Sequence, residues 1–248
     1  KQNIMATDPT QEQRDSVTST FAIACYGDNA QAVSKADIVV LAVKPQILEH
    51  VCQTISEQVN TQKPLIISVA AGIRSKDINR WLGGNTAIVR TMPNTPSLIQ
   101  TGATGLFANK LVNSEQQSQA EHILRAAGIT VWVDEESKLD AVTALSGSGP
   151  AYYFLFMEAM EQSAQKLGLD QKTAHILTLQ TALGAAKMAL ESQQDCGTLR
   201  KNVTSPNGTT EKAIQSFQDD GLLQMVEKAM QAAQSRAVEL ADELRGKA

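Results

Sequence analysis

The sequence predicts an α/β domain over residues 1–136, built on a parallel sheet, followed by an all-helical domain over residues 137–248. In the first part, short β-branched runs alternate with amphipathic stretches, as right-handed crossovers between parallel strands require. After about Glu136 the strand patterns stop, and apolar residues recur at spacings of three and four. With 248 residues, 42% of them apolar, the chain is long enough for two domains with cores of their own.

The predicted elements follow from these patterns in order. Each predicted strand is a short, largely apolar run that contains β-branched residues: NIMA at 3–6, IVVLAV at 38–43, LIISV at 65–69, AIVR at 87–90 and TVWV at 130–133. The amphipathic stretches between them predict helices over 28–36, 47–59 and 115–127. In the second domain, glycine or proline separates the predicted helices. These helices cover 137–144, 150–167, 171–192, 198–203, 210–219 and 221–244.

Charge and composition exclude several functions. The net charge of −4 and the pI near 5.5 provide no positive field for nucleic acid or an anionic membrane. No apolar run approaches the ~20 residues of a membrane helix, and no signal segment opens the chain. We therefore expect a protein that is neither secreted nor inserted in a membrane, and that binds no nucleic acid.

The cysteines and histidines suggest neither disulfides nor a metal. The cysteines are odd in number and form no CxxC pair, so a reducing cytoplasm is the expected location. They are Cys25, Cys52 and Cys196. The histidines lack metal-ligand spacing, and we assign no metal. They are His50, His122 and His175.

The stretch 179–190 carries small residues on most of its circumference, so other helices can approach it closely. Two interpretations remain open: a buried core helix, or a helix interleaved with that of a partner subunit.

The ends of three predicted strands are the places to look for a bound dinucleotide, because α/β sheets bind ligands at the carboxyl ends of their strands. Lys44 and Pro45 follow the strand at 38–43, small residues at 70–72 follow the strand at 65–69, and TMPNTP at 91–96 follows the strand at 87–90. Small residues and a fixed turn allow backbone to approach a flat ligand. Each feature taken alone is better explained as an ordinary strand-to-helix turn.

The stretch VTSPNGTT at 203–210 stands directly before a predicted helix. Its hydroxyls and free backbone N–H groups lie at the positive end of the helix dipole, which predicts a cradle for a carboxylate. A simple helix cap would need only one of these hydroxyls. The stretch DAVTALSGSGP at 140–150 joins the domains, with Ser148 or Gly149 as a helix cap. Its paired glycines, Gly147 and Gly149, suggest backbone crowding near a site.

Taken together, five motifs resemble the pyrroline-5-carboxylate reductase family in order, spacing and domain placement. They are AVKP at 42–45, SVAAG at 68–72, RTMPNTP at 90–96, DAVTALSGSGPAY at 140–152 and VTSPNGTT at 203–210. The resemblance covers essentially the whole sequence. It implies a Rossmann-like dinucleotide-binding domain followed by a helical domain that forms homodimers, and often larger rings. The implied reaction is reduction of the C=N bond of 1-pyrroline-5-carboxylate to L-proline, the last step of proline biosynthesis.

The resemblance also implies site residues. For the substrate carboxylate it points to Ser205 and to the backbone around Gly208, Thr209 and Thr210, with the Thr210 hydroxyl near the imine nitrogen as the candidate catalytic group. Because a free threonine hydroxyl is a poor acid, its role can instead be orientation of an already protonated iminium. Glu136 matches a family position near the substrate, although an exposed glutamate in a DEES run can simply be solvated.

For the cofactor, the resemblance points to residues of both predicted domains. They are Asn29, Ala42, Val43, Lys44, Pro45, Val69, Ala70, Ala71 and Asn202. Asn29 is equally explained as a helix cap. Asp8, after the first predicted strand, favours a free ribose hydroxyl and hence NADH, whereas Thr7 and Arg14 suit a 2'-phosphate. We expect NADPH, with NADH as the alternative.

The sequence departs from the family pattern in two places. No glycine precedes Gly27, so the first strand and glycine-rich phosphate loop of the family lie outside this sequence. Asn207 stands where the family commonly has glycine, and asparagine tolerates a left-handed backbone better than other residues with a Cβ.

Two other functions compete with this assignment. A related two-domain dehydrogenase of a hydroxy acid would need a lysine or histidine near the helical-domain site, but Lys187 lies among small residues and no histidine lies in the motifs. A noncatalytic dinucleotide-binding module would bind cofactor without turning over an imine, and would have no use for the donors at 203–210.

Overall fold

The computed structural model describes residues 3–245, which form two compact units. The first unit contains the residues up to Gly147 and the segment from Ala233 onward, and the second contains Ser148–Ala232. The predicted functional boundary near residue 136 stays a prediction.

The first unit contains two sheets. Its strands are β1 (Met5–Thr7), β2 (Ala24–Tyr26), β3 (Ile38–Leu41), β4 (Leu65–Ser68), β5 (Ile88–Met92), β6 (Gly102–Ala108) and β7 (Gly128–Trp132). β1 and β2 form a parallel pair, and the other five form one sheet in the order β3-β4-β5-β6-β7. Within that sheet β3, β4 and β5 are parallel neighbours, as predicted. The carboxyl ends of these three strands therefore lie along one edge.

Helices connect the strands of this unit. They are α1 (Gln11–Phe21), α2 (Asn29–Val33), α3 (Pro45–Gln62), α4 (Ser75–Trp81), α5 (Ser114–Arg125) and α6 (Lys138–Val142). A 3-10 helix covers Thr95–Ile99, and a π-helical turn over Thr143–Gly147 follows α6 directly.

The core of the first unit lies on both faces of β4. Ile66 belongs to the cluster that contains α3, whereas Leu65 and Ile67 belong to a second cluster with Leu106 of β6 and Ala120 of α5. This alternation is what a strand buried on both faces requires. On α3, four residues at spacings of four, three and four form the buried stripe. They are Leu48, Cys52, Ile55 and Val59, all at most 2% exposed.

The second unit is entirely helical in the described residues, as predicted. Its helices are α7 (Gly149–Lys166), α8 (Gln171–Glu191), α9 (Cys196–Asn202), α10 (Thr209–Asp219) and the first part of α11 (Leu222–Arg245). Many large apolar side chains of α7 and α8 are exposed, among them Phe154 at 65% and Leu183 at 61%. The residues after Ala233 belong to the first unit, where Leu244 packs against the α3 cluster.

The predicted parallel sheet contains one antiparallel pair, because β5 and β6 run in opposite directions. The pattern also misses β6 as a strand, since it contains Gly102 and Gly105, which are unfavourable in strands. Both glycines are required by close packing. A Cβ on Gly102 would lie 2.9 Å from the carbonyl oxygen of Ala127, and one on Gly105 would lie 2.7 Å from Cγ1 of Val142.

Three further elements escape the sequence pattern. β2 is only three residues long, α4 is only seven, and α1 has no buried residue and hence no apolar stripe. The predicted helix over 28–36 is also shorter than expected, since α2 ends at Val33. Ser148 is the N-cap of α7, as one of the two predicted alternatives, but its side chain makes no capping hydrogen bond.

Candidate active site

The carboxyl end of β3 leads directly into α3. Ala42 and Lys44 are exposed, whereas Val43 is half-buried and packs against the core. Pro45 stands in the first turn of α3, where its missing N–H leaves no helical bond unmade. The exposed backbone from Ala42 to Lys44 therefore lies at a helix N-terminus, a position that suits an anionic or dinucleotide ligand.

The carboxyl end of β4 lies beside that of β3, since the N–H of Val69 donates to the carbonyl of Leu41 at 3.3 Å. Ala70 is buried and Ala71 is exposed, so the chain leaves the core between them. Gly72 follows with a φ of +75°, a conformation that favours glycine. The structure thus brings together the predicted cofactor residues Ala42–Pro45 and Val69–Ala71.

The end of β1 carries the groups considered for the cofactor ribose. The Asp8 carboxylate accepts the N–H of Thr10 at 2.8 Å, so part of its capacity is used at the start of α1. Arg14 donates from Nη1 to the carbonyl of Asp8 at 2.7 Å, and its guanidinium lies 3.4 Å from where a Cβ on Gly27 would stand. A positive charge is therefore held at the end of this strand.

Asn29 is not the cap of α2. The cap is Asp28, whose carboxylate accepts the N–H of Ala30 at 2.9 Å, while Asn29 is the first residue of the helix. Within residues 3–245 the Asn29 side chain makes no hydrogen bond, and it is half-buried. The alternative explanation for Asn29 is therefore wrong, and its predicted role toward the cofactor stays a prediction.

Asn94 links the end of β5 to two other segments. Its Nδ2 donates to the carbonyl of Ser146 in the π-helical turn at 3.0 Å, and its Oδ1 accepts the N–H of Ala103 in β6 at 2.9 Å. In the sequence, this asparagine stands out only as part of the RTMPNTP motif at 90–96. Its position between two prolines, in a turn that follows a strand, is the feature of the sequence that could have indicated a structural role.

Glu136 is part of a buried ionic cluster. Its Oε1 accepts the N–H of Ser75 at 2.6 Å and pairs with Nη1 of Arg90 at 3.3 Å, and its Oε2 accepts the Ser75 hydroxyl at 2.9 Å. Burial lowers the pKa of Arg90, opposed by the negative charges of Glu136 and Asp140. With its side chain 18% exposed, Glu136 is not the solvated surface glutamate considered as the alternative. Sequence reasoning missed both Ser75 and Arg90.

The predicted cradle is a turn followed by the start of α10. The N–H of Gly208 donates to the carbonyl of Ser205 at 3.0 Å, and Asn207 has a φ of +61°, so asparagine does tolerate the left-handed backbone here. A Cβ on Gly208 would lie 2.9 Å from the Ser205 carbonyl oxygen, so only glycine fits without a shift. The structure therefore brings Ser205 and Gly208 together at the head of α10.

Thr209 and Thr210 form the first turn of α10, and both are exposed. Gly208 is the N-cap and has no side chain to satisfy the first helical N–H groups. The Glu211 carboxylate of the same turn accepts the N–H of Asn207 at 2.8 Å. The first amides of α10, together with the hydroxyls of the turn, are thus available to an external acceptor such as a carboxylate.

Asn202 lies at the end of α9, in the same unit as this turn. Its Nδ2 donates to Oε1 of Gln194 at 2.9 Å, and the residue is exposed. The predicted cofactor residues are therefore divided, with Asn202 in the second unit and the others in the first. Its role toward the cofactor stays a prediction.

Residues 3–245 contain neither a cluster of metal-binding side chains nor a membrane-spanning helix. No group of three or more histidine, cysteine, aspartate or glutamate side chains in this range could hold a metal ion. None of the described helices has both the length and the apolar character that crossing a membrane demands.

The fold and the carboxyl edge define a class of protein, the proteins with a Rossmann-like, dinucleotide-binding first domain. Comparison with known proteins identifies the family. The family model "Pyrroline-5-carboxylate reductase dimerisation" matches residues 136–240, and the model "NADP oxidoreductase coenzyme F420-dependent" matches residues 1–72. The pyrroline-5-carboxylate reductase of Pseudomonas aeruginosa is 52% identical over 97% of this chain and 88% of its own length. The chain belongs to the pyrroline-5-carboxylate reductase family.

Two solved structures extend this similarity. A pyrroline-5-carboxylate reductase from Coxiella burnetii has a TM-score of 0.93 and 46% identity, covering 96% of this chain and 88% of that one. The Plasmodium falciparum pyrroline carboxylate reductase with NADP bound has a TM-score of 0.84 and 29% identity, covering 97% of this chain and 88% of that one.

Proposed function

We propose that this protein reduces the C=N bond of 1-pyrroline-5-carboxylate with NADPH to give L-proline, the last step of proline biosynthesis. The observation that carries the proposal is the turn from Ser205 to Thr210, whose hydroxyls and helix N–H groups stand exposed at the head of α10. Among the relatives, the name pyrroline-5-carboxylate reductase belongs to proteins up to 52% identical over nearly the whole chain. The functional division into residues 1–136 and 137–248 is part of this proposal.

The carboxyl edge of the first unit fits a dinucleotide. Exposed backbone at Ala42 and Lys44, the small residues Ala70 and Ala71, and Asn29 with no internal hydrogen bond in the described chain would line it. Val43, Pro45 and Val69 complete the proposed set at this edge. Asn202, in the second unit, is a separate cofactor-binding prediction. NADPH, when bound, supplies the hydride that the imine carbon accepts. The positive charge of Arg14 at the end of β1 favours NADPH, and NADH remains the alternative.

The substrate carboxylate would bind at the head of α10. The backbone N–H groups of Thr209 and Thr210 lie at the N-terminus of α10, which is the positive end of the helix dipole. An anion would be stabilised there. The hydroxyl of Ser205 adds a donor, and the close contact of Gly208 with Ser205 keeps the turn compact. The Asn207 N–H already donates to Glu211 and would not contribute.

The hydroxyl of Thr210 is the candidate catalytic group. In the described chain it has no hydrogen-bond partner, so it is available to a ligand. Its hydroxyl can donate to the ring nitrogen or can accept a hydrogen bond from a protonated iminium. Because its acidity is weak, we assign it the second role, in which it orients the imine toward the hydride donor.

Glu136 is the proposed substrate-side residue of the first unit. Ser75 and Arg90 together bind both oxygens of its carboxylate and fix its position. The carboxylate would then act with its remaining lone pairs only, as an acceptor for the substrate or for a water beside it.

Two properties of the protein in the cell belong to the same proposal. The exposed apolar side chains of α7 and α8 and the match of residues 136–240 to a dimerisation model favour a homodimer, and rings of dimers are the larger assembly implied by the family resemblance. The free thiols of Cys25, Cys52 and Cys196 favour the cytoplasm. No nucleic acid or membrane partner is proposed.

The test is turnover by the purified protein. We expect NADPH consumption that depends on 1-pyrroline-5-carboxylate and yields proline in equal amount. Thr210→Ala should lower kcat/KM on the order of 100-fold, whereas Thr210→Ser should retain most of it. Ser216→Ala, which removes an exposed hydroxyl in the middle of the same helix, is the matched control.

Retention of NADPH without proline formation would refute the reductase function and support a noncatalytic dinucleotide-binding module. Oxidation of a small hydroxy acid with NADP would instead support the related dehydrogenase.

A further inference from the structure

Asn94 joins three segments of the first unit through one side-chain amide. The residue follows β5, its Nδ2 donates to the carbonyl of Ser146 at 3.0 Å, and its Oδ1 accepts the N–H of Ala103 at 2.9 Å. These bonds connect positions 52 and 9 residues away in the sequence. Both the amide nitrogen and the amide oxygen therefore bind backbone groups outside the turn that contains Asn94.

Helix capping does not explain this side chain. Asn94 is the N-cap of the 3-10 helix Thr95–Ile99, and asparagine at such a position usually accepts an N–H of its own helix. Here it makes no side-chain capping bond, and only its backbone carbonyl accepts the N–H of Ser97, at 3.1 Å. The side chain instead holds the segments on either side of the loop.

Two glycines show how closely those segments approach. A Cβ on Gly147 would lie 2.6 Å from Cε of Met92, so the π-helical turn rests against the end of β5. A Cβ on Gly102 would lie 2.9 Å from Cα of Ser97, so the start of β6 rests against the 3-10 helix. The two Asn94 hydrogen bonds run alongside these contacts and fix their alignment.

We propose that Asn94 is a positioning residue for hydride transfer, an inference that rests on the proposed function. It acts through the loop Thr95–Thr101, which follows a strand of the cofactor edge, and through the turn Thr143–Gly147. Such π-helical turns recur at functional sites, and carboxyl-end loops of parallel strands carry the ligand contacts of this fold. Loss of the amide would let both segments shift, and small misplacements of reacting groups cost large factors in rate.

The chain offers a matched control at the opposite end of β5. Asn109 is also half-buried and donates from Nδ2 to the carbonyl of Thr86 at 2.9 Å. It accepts the N–H groups of Ile88 and Leu111, each at 3.2 Å. It thus makes the same kind of two-ended bridge, but at the amino end of the strand, away from the cofactor edge. Asn94→Ala and Asn109→Ala should therefore lower the melting temperature to a similar degree.

The two variants should differ in amide exchange and in rate. In the protein without cofactor, Asn94→Ala should speed hydrogen–deuterium exchange in peptides covering 95–103 and 143–147, and Asn109→Ala should not. At a temperature where both are folded, kcat should fall on the order of 10- to 100-fold in Asn94→Ala and stay within about twofold of the starting protein in Asn109→Ala.

Asn94→Asp tests the donor directly and preserves the shape of the side chain. At neutral pH its carboxylate keeps an acceptor for Ala103 but has no hydrogen to donate to Ser146. When protonated, it regains the donor. The rate of Asn94→Asp relative to the unsubstituted protein should therefore rise as the pH falls, whereas the relative rate of Asn94→Ala should not.

Unchanged exchange and unchanged kcat in Asn94→Ala would overturn the proposal, and so would an equal loss of kcat in Asn109→Ala. If the unsubstituted protein fails to reduce the imine, the proposed function is wrong. The hydrogen–deuterium exchange of the segments 95–103 and 143–147 alone then decides whether Asn94 fixes their position.

Discussion

Arg90 of β5 and Glu136, just before α6, form an ion pair with 3.3 Å between Nη1 and Oε1. The Arg90 side chain is 4% exposed, so solvent contributes little to its solvation. Ser75 at the start of α4 adds two hydrogen bonds to Glu136, from its N–H to Oε1 and from its hydroxyl to Oε2. Two charges withdrawn from water stabilise a fold only when their geometry and remaining hydrogen bonds are good, and loss of one partner leaves the other uncompensated.

Glu136→Ala should therefore destabilise the protein by about 3 kcal/mol, the low end of what breaking a buried pair costs. The low end applies because the charge of Asp140 also acts on Arg90. Equilibrium denaturation measures the change. The control is Asp134→Ala, which removes an exposed ion pair with Lys138 and should leave the midpoint nearly unchanged. Equal midpoint shifts in both variants would contradict a structural role for Glu136.

The buried thiol of Cys52 should make the protein less stable at high pH. Burial in the α3 core, with a smaller contribution from Glu49, raises the pKa of this thiol from 9.0 to about 12. Between these values the unfolded chain loses a proton that the folded chain retains, so folding binds more protons. The protonated Cys52 thiol makes its full contribution to the free energy of unfolding below pH 9. This contribution falls by about 1.4 kcal/mol per pH unit as the pH rises toward the folded-state pKa.

The measurement is the difference in unfolding free energy between the unsubstituted protein and Cys52→Ala from pH 8 to 11, because other titrating groups cancel in it. A difference that is independent of pH would contradict the assignment. In the native protein a thiol reagent should also modify the exposed Cys196 and leave Cys52 unmodified.

Much of the fold was predictable because its signals are local. Four residues of α3 repeat at helical spacing, and Leu65–Ser68 is an apolar run bounded by Pro64 and small residues. The turn before α10 was predictable for the same reason, since its serine, threonine and glycine residues are contiguous in sequence. Membership of the family follows from the order of such motifs.

The remaining features depend on contacts between distant residues. Gly102 and Gly105 make β6 look like a loop in sequence, although close approach of Ala127 and Val142 requires them. The partners of Asn94 and Glu136 lie 52 and 61 residues away. No pattern in a single sequence encodes which distant backbone group a side chain will meet, so these roles required the structure.

Asn207 should be replaceable by glycine but not by alanine. Its φ of +61° costs most residues with a Cβ, alanine included, about 1 kcal/mol, whereas asparagine adopts this conformation more readily. Asn207→Ala should thus destabilise the protein by roughly 1 kcal/mol and raise KM for the imine, because Ser205 and Gly208 lose their alignment. Asn207→Gly should preserve both properties. Thermal unfolding and steady-state kinetics test this, and equal behaviour of the two variants would exclude a conformational role.

Arg14 should determine the preference for NADPH over NADH. Its guanidinium is held at the end of β1 by the carbonyl of Asp8, where the cofactor ribose is expected, and it is half-buried. A hydrogen bond to a charged group contributes about 1.5–3 kcal/mol, which corresponds to roughly tenfold or more in affinity. Arg14→Ala should therefore raise KM for NADPH about tenfold and leave KM for NADH nearly unchanged.

Arg14→Lys separates charge from geometry, since lysine keeps the positive charge but not the planar fork. We expect the ratio of kcat/KM for NADPH to kcat/KM for NADH in Arg14→Lys to lie between the ratios of the unsubstituted protein and Arg14→Ala. An equal loss with both cofactors in Arg14→Ala would show instead that Arg14 only holds β1 and α1 together through Asp8 and Gln11. In that case the 2'-phosphate would have to be recognised by other groups at this strand end, of which the Thr7 hydroxyl is the nearest in sequence.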